Sequence, residues 1–390
     1  MTDSRRLRPN ADYRESLPVA NMLPNRSLKT ALGRKSRGML TGRPTSFDIA
    51  QLAGVSQPTV SRALRGDPTV SEATRKRIEA IAVQLSYAVD KNASSLRRRQ
   101  SKTLALLFFE DPTSDESLIN PFFLSMLGSI TRTCALRGYD LLTSFQQLSS
   151  DWHVDYEDSH KADGIILLGY GDYDVYRDRL ARLAEQRTHF VRWGSVEAGQ
   201  PGTTIGCDNR EGGAAAARHL LDLGHRRIAF LGEASSRFPE IDDRYNGAVA
   251  VMRAGGIEPD PRLRIDAITN EASGYAAAQT LIARGIDFDA VFAASDLIAV
   301  GALRALAEAR ISVPGDVSVV GFDDIPAAGL SHPPLTTIAQ DYARAGQMLV
   351  DTLLAQIRAE PAATAMLPPR LVVRRSTGPR GDGVRGMSGE

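Results

Sequence analysis

Apolar residues recur along this chain with two different periods. Between Thr45 and Tyr87 they fall at helical spacing. Phe47, Ile49, Ala50 and Ala53 make one apolar face, Val60, Ala63 and Leu64 a second, and Ile78, Ile81, Ala82 and Leu85 a third, the pattern of short amphipathic helices. Ser46, Ser56 and Ser71 stand where the three helices would begin and suit N-caps. Pro58 fits the first turn of the second, where a missing N–H costs little, and Gly54 permits a tight turn before it. Two short helices across a Gly turn, followed by a third, predict a helix-turn-helix head.

After Lys102 the texture changes. Apolar runs of strand length, "TLALLFF", "GIILLGY", "HFVRW", "RIAFLG", "AVFAAS", "VSVVGF" and "RLVV", alternate with Ala/Leu-rich helical stretches such as "EGGAAAARHLLDLG" and "AVGALRALAEA". Strands without polar alternation are buried on both faces, which predicts an open parallel α/β sheet. The region holds about 270 residues, long for one such sheet, so it predicts two subdomains with a cleft between them.

Residues 1–44 are rich in Arg, Ser, Asn and Pro without apolar period and read as a disordered basic extension; Met39 is an alternative start. The Gly-rich stretch 378–390 reads as a disordered tail. Bulk composition is ordinary for a 390-residue globular chain, at 43% hydrophobic and 24% charged. Net charge is +1, but residues 1–44 carry +7 and residues 45–103 carry +5, leaving −11 for the rest. A basic head on an acidic body points to nucleic acid as the partner of the head. The chain has only Cys134 and Cys207, no apolar run of membrane-spanning length and no signal-peptide pattern. These features predict a cytoplasmic protein without disulfides or membrane contact.

The stretch "SQPTVSRALRG" (Ser56–Gly66) carries the first candidate site. With Val60, Ala63 and Leu64 inward, Gln57, Pro58, Ser61 and Arg62 point outward. Arg reads guanine and Gln adenine through paired hydrogen bonds. Ser56, Thr59 and Ser61 are short donors suited to phosphate oxygens. The second site follows from topology, since ligands of parallel sheets sit beyond the carboxyl ends of the strands. Asp208, Asp296 and Asp323 directly follow apolar runs, Arg192 and Trp193 close one, and Arg244 begins a helical stretch. Carboxylates, arginines and an aromatic face suit a polyhydroxylated ligand. Asp208 and Asp296 equally suit helix N-caps, and Trp193 equally suits the core. "DWHVDYEDSH" (Asp151–His160) spaces its histidines seven apart, which is no metal-pair spacing, and reads as a solvated loop or helix start. No nucleophile elbow, zinc-protease helix or phosphate loop occurs. The sequence predicts no enzyme, no metal and no cofactor.

These segments carry a resemblance. "DIAQLAGVSQPTVSRALRGDPTVSEATRKRIEAIAVQLSY" resembles the DNA-binding head of the LacI/GalR transcriptional regulators. The likeness continues through "NPFF", "ADGIIL", "CDNREGG", "LGHRRIAFLG", "SDLIAVGALRAL", "DVSVVGFDDIP" and "PPLTTI", over residues 45–377. It implies a helix-turn-helix domain at 45–89, a hinge-helix linker at 90–102 and an effector-binding domain at 103–377 resembling periplasmic sugar-binding proteins. Within that domain one subdomain takes about 103–205 and 340–366, the other about 206–337 and 368–377. The resemblance also implies a homodimer on a near-palindromic operator, with Gln57, Pro58 and Arg62 reading bases. Leu96 would wedge into the minor groove. Phe122, Arg244, Ser295 and Asp323 would contact a small-molecule effector, a sugar by preference. Control of the same fold by a protein partner or a nucleobase-type ligand stays open at this point.

Overall fold

A computed structural model of the chain describes residues 44–85, 87, 100–109, 119–146, 149–169, 173–197 and 199–380. The chain divides into two compact units, Met1–Asp90 and Lys91–Glu390. Leu96, most of the linker at 90–102 and the extension at 1–43 lie outside the described residues.

The first unit contains α1 (Ser46–Ala53), α2 (Gln57–Leu64) and α3 (Glu72–Gln84). Thr45, not Ser46, caps α1. Its hydroxyl accepts from the Asp48 amide while the Asp48 carboxylate accepts from the Thr45 amide at 2.7 Å, a reciprocal capping box that Ser46 has no acidic partner to close. Gly54 ends α1 at φ 64°, a left-handed conformation that glycine adopts without strain. Ser71 caps α3 by accepting from the Thr74 amide. Ile49, Ala50, Ala53, Val60, Ala63, Val70, Ile78 and Ala82 form one buried cluster, with Leu64 partly buried against it. Phe47, expected in that face, is 70% exposed. It lies in the first turn, two positions around the helix from Ile49, a rotation of about 200°.

The second unit consists of two lobes, each built on a six-stranded sheet. The first lobe contains β1 (Thr103–Phe108), α4 (Pro121–Leu136), β2 (Asp140–Phe145), β3 (Ile165–Leu168), α5 (Tyr173–Glu185), β4 (Phe190–Trp193) and β5 (Thr203–Cys207). The chain then enters the second lobe with α6 (Asn209–Asp222), β6 (Ile228–Leu231), α7 (Pro239–Ala254), β7 (Arg264–Ile265), α8 (Glu271–Ala283), β8 (Ala290–Ala293), α9 (Asp296–Glu308), β9 (Ser318–Asp323), α10 (Pro326–Leu330) and β10 (Thr336–Ala339). It returns with α11 (Tyr342–Ile357) and β11 (Ala365–Leu367) to the first lobe, and crosses once more to place β12 (Arg370–Val372) in the second. Strand order is β11-β5-β4-β3-β1-β2 in one sheet and β12-β10-β9-β8-β6-β7 in the other. All pairings are parallel except β10 with β12.

Each sheet therefore reverses its winding direction once, between β1 and β3 in the first lobe and between β6 and β8 in the second. At such a reversal the connecting helices part to opposite faces and leave a crevice beyond the strand ends. Helix α7 packs on α6 because two glycines let the backbones meet. A Cβ at Gly213 would stand 1.8 Å from the Arg244 carbonyl oxygen, and one at Gly247 1.9 Å from that of Arg210.

Two further expectations need correction, and a third is decided between its alternatives. Of the two readings of Asp151–His160, a solvated loop or a helix start, the second holds: His153–Asp158 forms a π-helical turn, with Trp152 and Tyr156 buried against Ala105, Leu107, Ile165 and Leu167. Arg244 does not open its helix, which begins at Pro239. The tail does not begin at residue 378. The Gly378 carbonyl lies 3.0 Å from His225 Nε2, its amide donates to Ser318 Oγ, and the Arg380 amide donates to the Leu223 carbonyl. Residues 381–390 lie outside the described residues.

Candidate DNA-reading helix and ligand cleft

On α2, Val60 and Ala63 are buried while Pro58 and Arg62 are exposed. Gln57 is half-buried and its amide donates to Ser46 Oγ at 3.2 Å, tying the start of α2 to the start of α1. Ser56 Oγ lies 2.9 Å from Thr59 Oγ1, and Ser61 Oγ accepts from Arg65 at 2.8 Å. Ser56 occupies the cap position without a side-chain cap bond. The exposed stripe is thus an arginine and a proline flanked by hydroxyls, with no carboxylate among the residues of α2. Such a stripe meets a polyanion without charge repulsion.

In the second unit the predicted residues gather at the carboxyl ends of both sheets. Arg192 and Trp193 close β4. With Phe109 after β1, Gln146 after β2, and Leu167 and Gly169 at the end of β3, they line a small pocket. This is the crevice that the β1/β3 reversal creates. Arg192 is 2% exposed; its Nε donates to Thr204 Oγ1 at 2.9 Å and its Nη2 to the Ser195 carbonyl and to Gln200. Trp193 is buried, with its ring centroid 5.9 Å from that of Phe122. Phe122 sits in the first turn of α4, inside the apolar cluster of this lobe.

The second lobe contributes a network around Arg244. This residue is 1% exposed. Its Nε donates to Asn209 Oδ1 at 2.9 Å, its Nη1 to the Ala294 carbonyl at 2.5 Å, and its guanidinium lies 3.8 Å from the centre of the Phe322 ring. Asp323 Oδ1 lies 3.8 Å from Arg244 Nη1 and accepts from Gln340 Nε2 at 2.7 Å. Burial pushes the Asp323 carboxyl up to about 6, against the opposing pull of Arg244 and Gln340. Its backbone is left-handed at φ 111°, and Asp324 follows at φ 56°. Two strained residues in succession mark a loop shaped for its side-chain position.

Asp296 and Ser295 share their cluster differently than their sequence positions suggest. Ser295 is the N-cap of α9, accepting from the Ile298 amide. Asp296 is fully buried; it accepts from Thr337 Oγ1 at 2.5 Å and from the Ile325 amide at 2.9 Å. Burial, with Asp323 adding to it, holds the Asp296 carboxyl well above the usual range. Asp296 thereby pins the turn that aims Asp323. Asp208, at the first crossing, caps α6 by accepting from the Glu211 amide.

One buried acid escaped the sequence reading. Glu240, in the first turn of α7, is 3% exposed and its Oε1 accepts from the Ser195 amide at 2.7 Å, so it bridges the two lobes. Burial raises its carboxyl, while Ser195, Arg192 and Arg244 lower it. An acidic residue in a helix's first turn is commonplace, and the opposing lobe that buries this one leaves no local trace. A second bridge is the Tyr173 amide donating to the Arg237 carbonyl at 3.0 Å. Among the described residues no group of three or more His, Cys, Asp or Glu could hold a metal, and no helix is long and apolar enough to cross a membrane.

A helix-turn-helix unit followed by two parallel α/β lobes defines a DNA-binding regulator with a periplasmic-binding-protein-like body. Comparison with known proteins agrees. Residues 47–90 match the family described as bacterial regulatory proteins, lacI family, and residues 217–377 match the periplasmic binding protein-like domain. The ribose operon repressor of Escherichia coli (strain K12) is 30% identical over 316 residues, 80% of this chain and 93% of that protein. The regulator CelR of Thermobifida fusca is 31% identical over 342 residues, 86% of this chain and 98% of its own. A solved CelR–cellobiose complex superposes with a TM-score of 0.63 at 31% identity, covering 86% of this chain and all of that one. The lac repressor dimer bound to operator and anti-inducer superposes with a TM-score of 0.75 at 26% identity, with the same coverage. The chain belongs to the LacI family: it is a DNA-binding transcriptional regulator and not an enzyme.

Proposed function

We propose that the protein is a cytoplasmic homodimeric repressor whose hold on a near-palindromic operator is set by a small polyhydroxylated ligand, a sugar, bound in the cleft of the second unit. Gln57, Pro58 and Arg62 read bases, and Ser56, Thr59 and Ser61 fix register on phosphates. Leu96 in the linker enters the minor groove. In the cleft, Asp323 accepts from ligand hydroxyls and Arg244 and Arg192 donate to its oxygens. Trp193 offers an apolar face, and Asp208 closes the edge. Phe122, Ser295 and Asp296 hold these groups in place.

The observation that carries the reading is the buried Arg244–Asp323 pair, 3.8 Å apart, with Asp323 at the carboxyl end of β9 and Arg244 in the second turn of α7. A buried donor and acceptor side by side suit a ligand that both accepts and donates. The names of the relatives support the choice of sugar, one being a ribose operon repressor and another having been solved with cellobiose.

A thermal-shift screen of the full chain against D-ribose, cellobiose, other mono- and disaccharides, sugar phosphates and nucleobases tests this. A ligand at 100 times its Kd stabilises by about 2.7 kcal/mol. The expected result is a sugar hit lost in Asp323→Ala. A nucleobase hit, or no hit in the panel, overturns the choice of sugar.

A further inference from the structure

The motif "ADGIIL" begins β3, far from the carboxyl-end crevices, and neither proposed site uses it. The structure shows what its aspartate does. Asp163 Oδ1 accepts from the Ser101 amide at 2.5 Å and from Ser101 Oγ at 2.9 Å, while Oδ2 accepts from the Lys102 amide at 2.9 Å. One carboxylate thus holds two consecutive residues that lie just before β1, where the chain arrives from the linker.

The neighbouring bonds close this junction on all sides. The Asp163 amide donates to the Thr103 carbonyl at 2.8 Å, and the Asp140 amide to the Lys102 carbonyl at 2.8 Å. Lys102 Nζ donates to Tyr139 Oη at 3.2 Å and lies 4.4 Å from the centre of that ring. Lys102 is left-handed at φ 56°. A lysine takes that conformation only when its surroundings impose it. Here the imposition comes from the first residues of β1 and β2 and from Asp163, two positions before β3, and it fixes the direction in which the chain enters the body.

We propose that Asp163 is a positioning residue for operator binding: by clamping Ser101 and Lys102 it fixes where each protomer of the dimer releases its linker. The inference rests on the reading of the protein as a dimeric operator-binding repressor. Two heads reach two half-sites only if their tethers start at a set separation. Freeing two residues in each of two chains adds conformational freedom that specific binding must then remove. Non-specific binding, driven by phosphate charge, makes no such demand.

The test uses the full chain and a duplex that the wild-type protein selects from a random library, with a scrambled duplex of equal length as control. In Asp163→Ala, amide exchange at Ser101 and Lys102 accelerates. Affinity for the selected duplex falls about 10- to 100-fold, and affinity for the scrambled duplex stays within twofold. Asp163→Asn keeps the acceptor for Ser101 and loses the one for Lys102, so it falls between wild type and Asp163→Ala and guards against a misfolded alanine variant. Selected-duplex affinity within twofold of wild type in both variants, with the two amides released, overturns the inference. Equal losses on both duplexes also overturn it, since they indicate general damage. Failure of the wild-type protein to select any duplex contradicts the underlying reading instead.

Discussion

Replacing Asp323 by Asn isolates the ionisation of the cleft's most informative carboxyl. In the folded protein this group is raised from 3.8 to about 6 by burial, so between those values the folded state holds a proton that the unfolded state has released. Stability therefore falls as pH rises through that window. A displacement of roughly two pH units at about 1.4 kcal/mol each amounts to about 3 kcal/mol by pH 7. Asparagine keeps the volume and the oxygen that accepts from Gln340, but has no charge to bury. The stability difference between wild type and Asp323→Asn should therefore shift by about 3 kcal/mol in favour of the variant between pH 4 and pH 7. That corresponds to a relative Tm change on the order of 6 °C for a unit of this size. Glu240, also raised by burial, titrates in both proteins and largely cancels in the difference. Asp296 is raised by burial and by the Asp323 charge, so losing that charge relieves it as well and adds to the same sign. The assay is a pair of thermal melts across the pH series. A difference that stays flat from pH 4 to pH 7 refutes the assignment of Asp323 as a buried, ionising carboxyl. Sugar binding should follow the same titration in the opposite sense, because an ionised Asp323 is the better acceptor. Affinity should rise through pH 6 in wild type and stay level in Asp323→Asn.

Three further outcomes follow from particular contacts. Gly213→Ala drives a Cβ into the Arg244 carbonyl and should cost about 1–3 kcal/mol. In calorimetry it should also weaken sugar binding, because it displaces the helix that carries Arg244. Thr45→Ala opens the capping box on α1 and should cost about 1 kcal/mol, seen as faster amide exchange confined to the head. His189 is raised above 6.5 by its 2.7 Å hydrogen bond to Glu157, with Asp163 adding charge nearby. Its contribution is present below about pH 6.5 and fades as pH rises through the higher folded value. The Tm deficit of His189→Gln should therefore be largest near pH 5.5 and shrink as pH rises above 6.5.

The alternation of strand and helix was legible because parallel strands buried on both faces leave unbroken apolar runs, as in "TLALLFF" and "VSVVGF". β2 left no such run, since it is an edge strand with no fully buried residue. β11 is three residues long, below what a pattern can register. The cleft was legible at strand ends, where Arg192, Trp193, Asp208 and Asp323 all sit, while Ser295 was reached only through the family resemblance. Asn209, Glu240 and Gln340 were not singled out, although each bonds a cleft residue or bridges the lobes. Their partners lie 35, 45 and 17 positions away along the chain, and no local pattern encodes such pairings. Phe47 shows the opposite error, an apolar residue at a plausible helical position that the three-helix core does not reach. At Asp151–His160 a helix start was one of two readings and is what forms, but its burial was not legible, because charges outnumber the two aromatic anchors that decide it.

The most direct measurement is the affinity of the full chain for its selected duplex, by fluorescence anisotropy, with and without the sugar found in the thermal-shift screen. Coupling of about 1–3 kcal/mol predicts a change in Kd of roughly 5- to 150-fold, abolished in Asp323→Ala while ligand-free DNA binding is retained. A duplex affinity indifferent to every stabilising sugar, in a protein that binds both, contradicts the account of a ligand-controlled repressor.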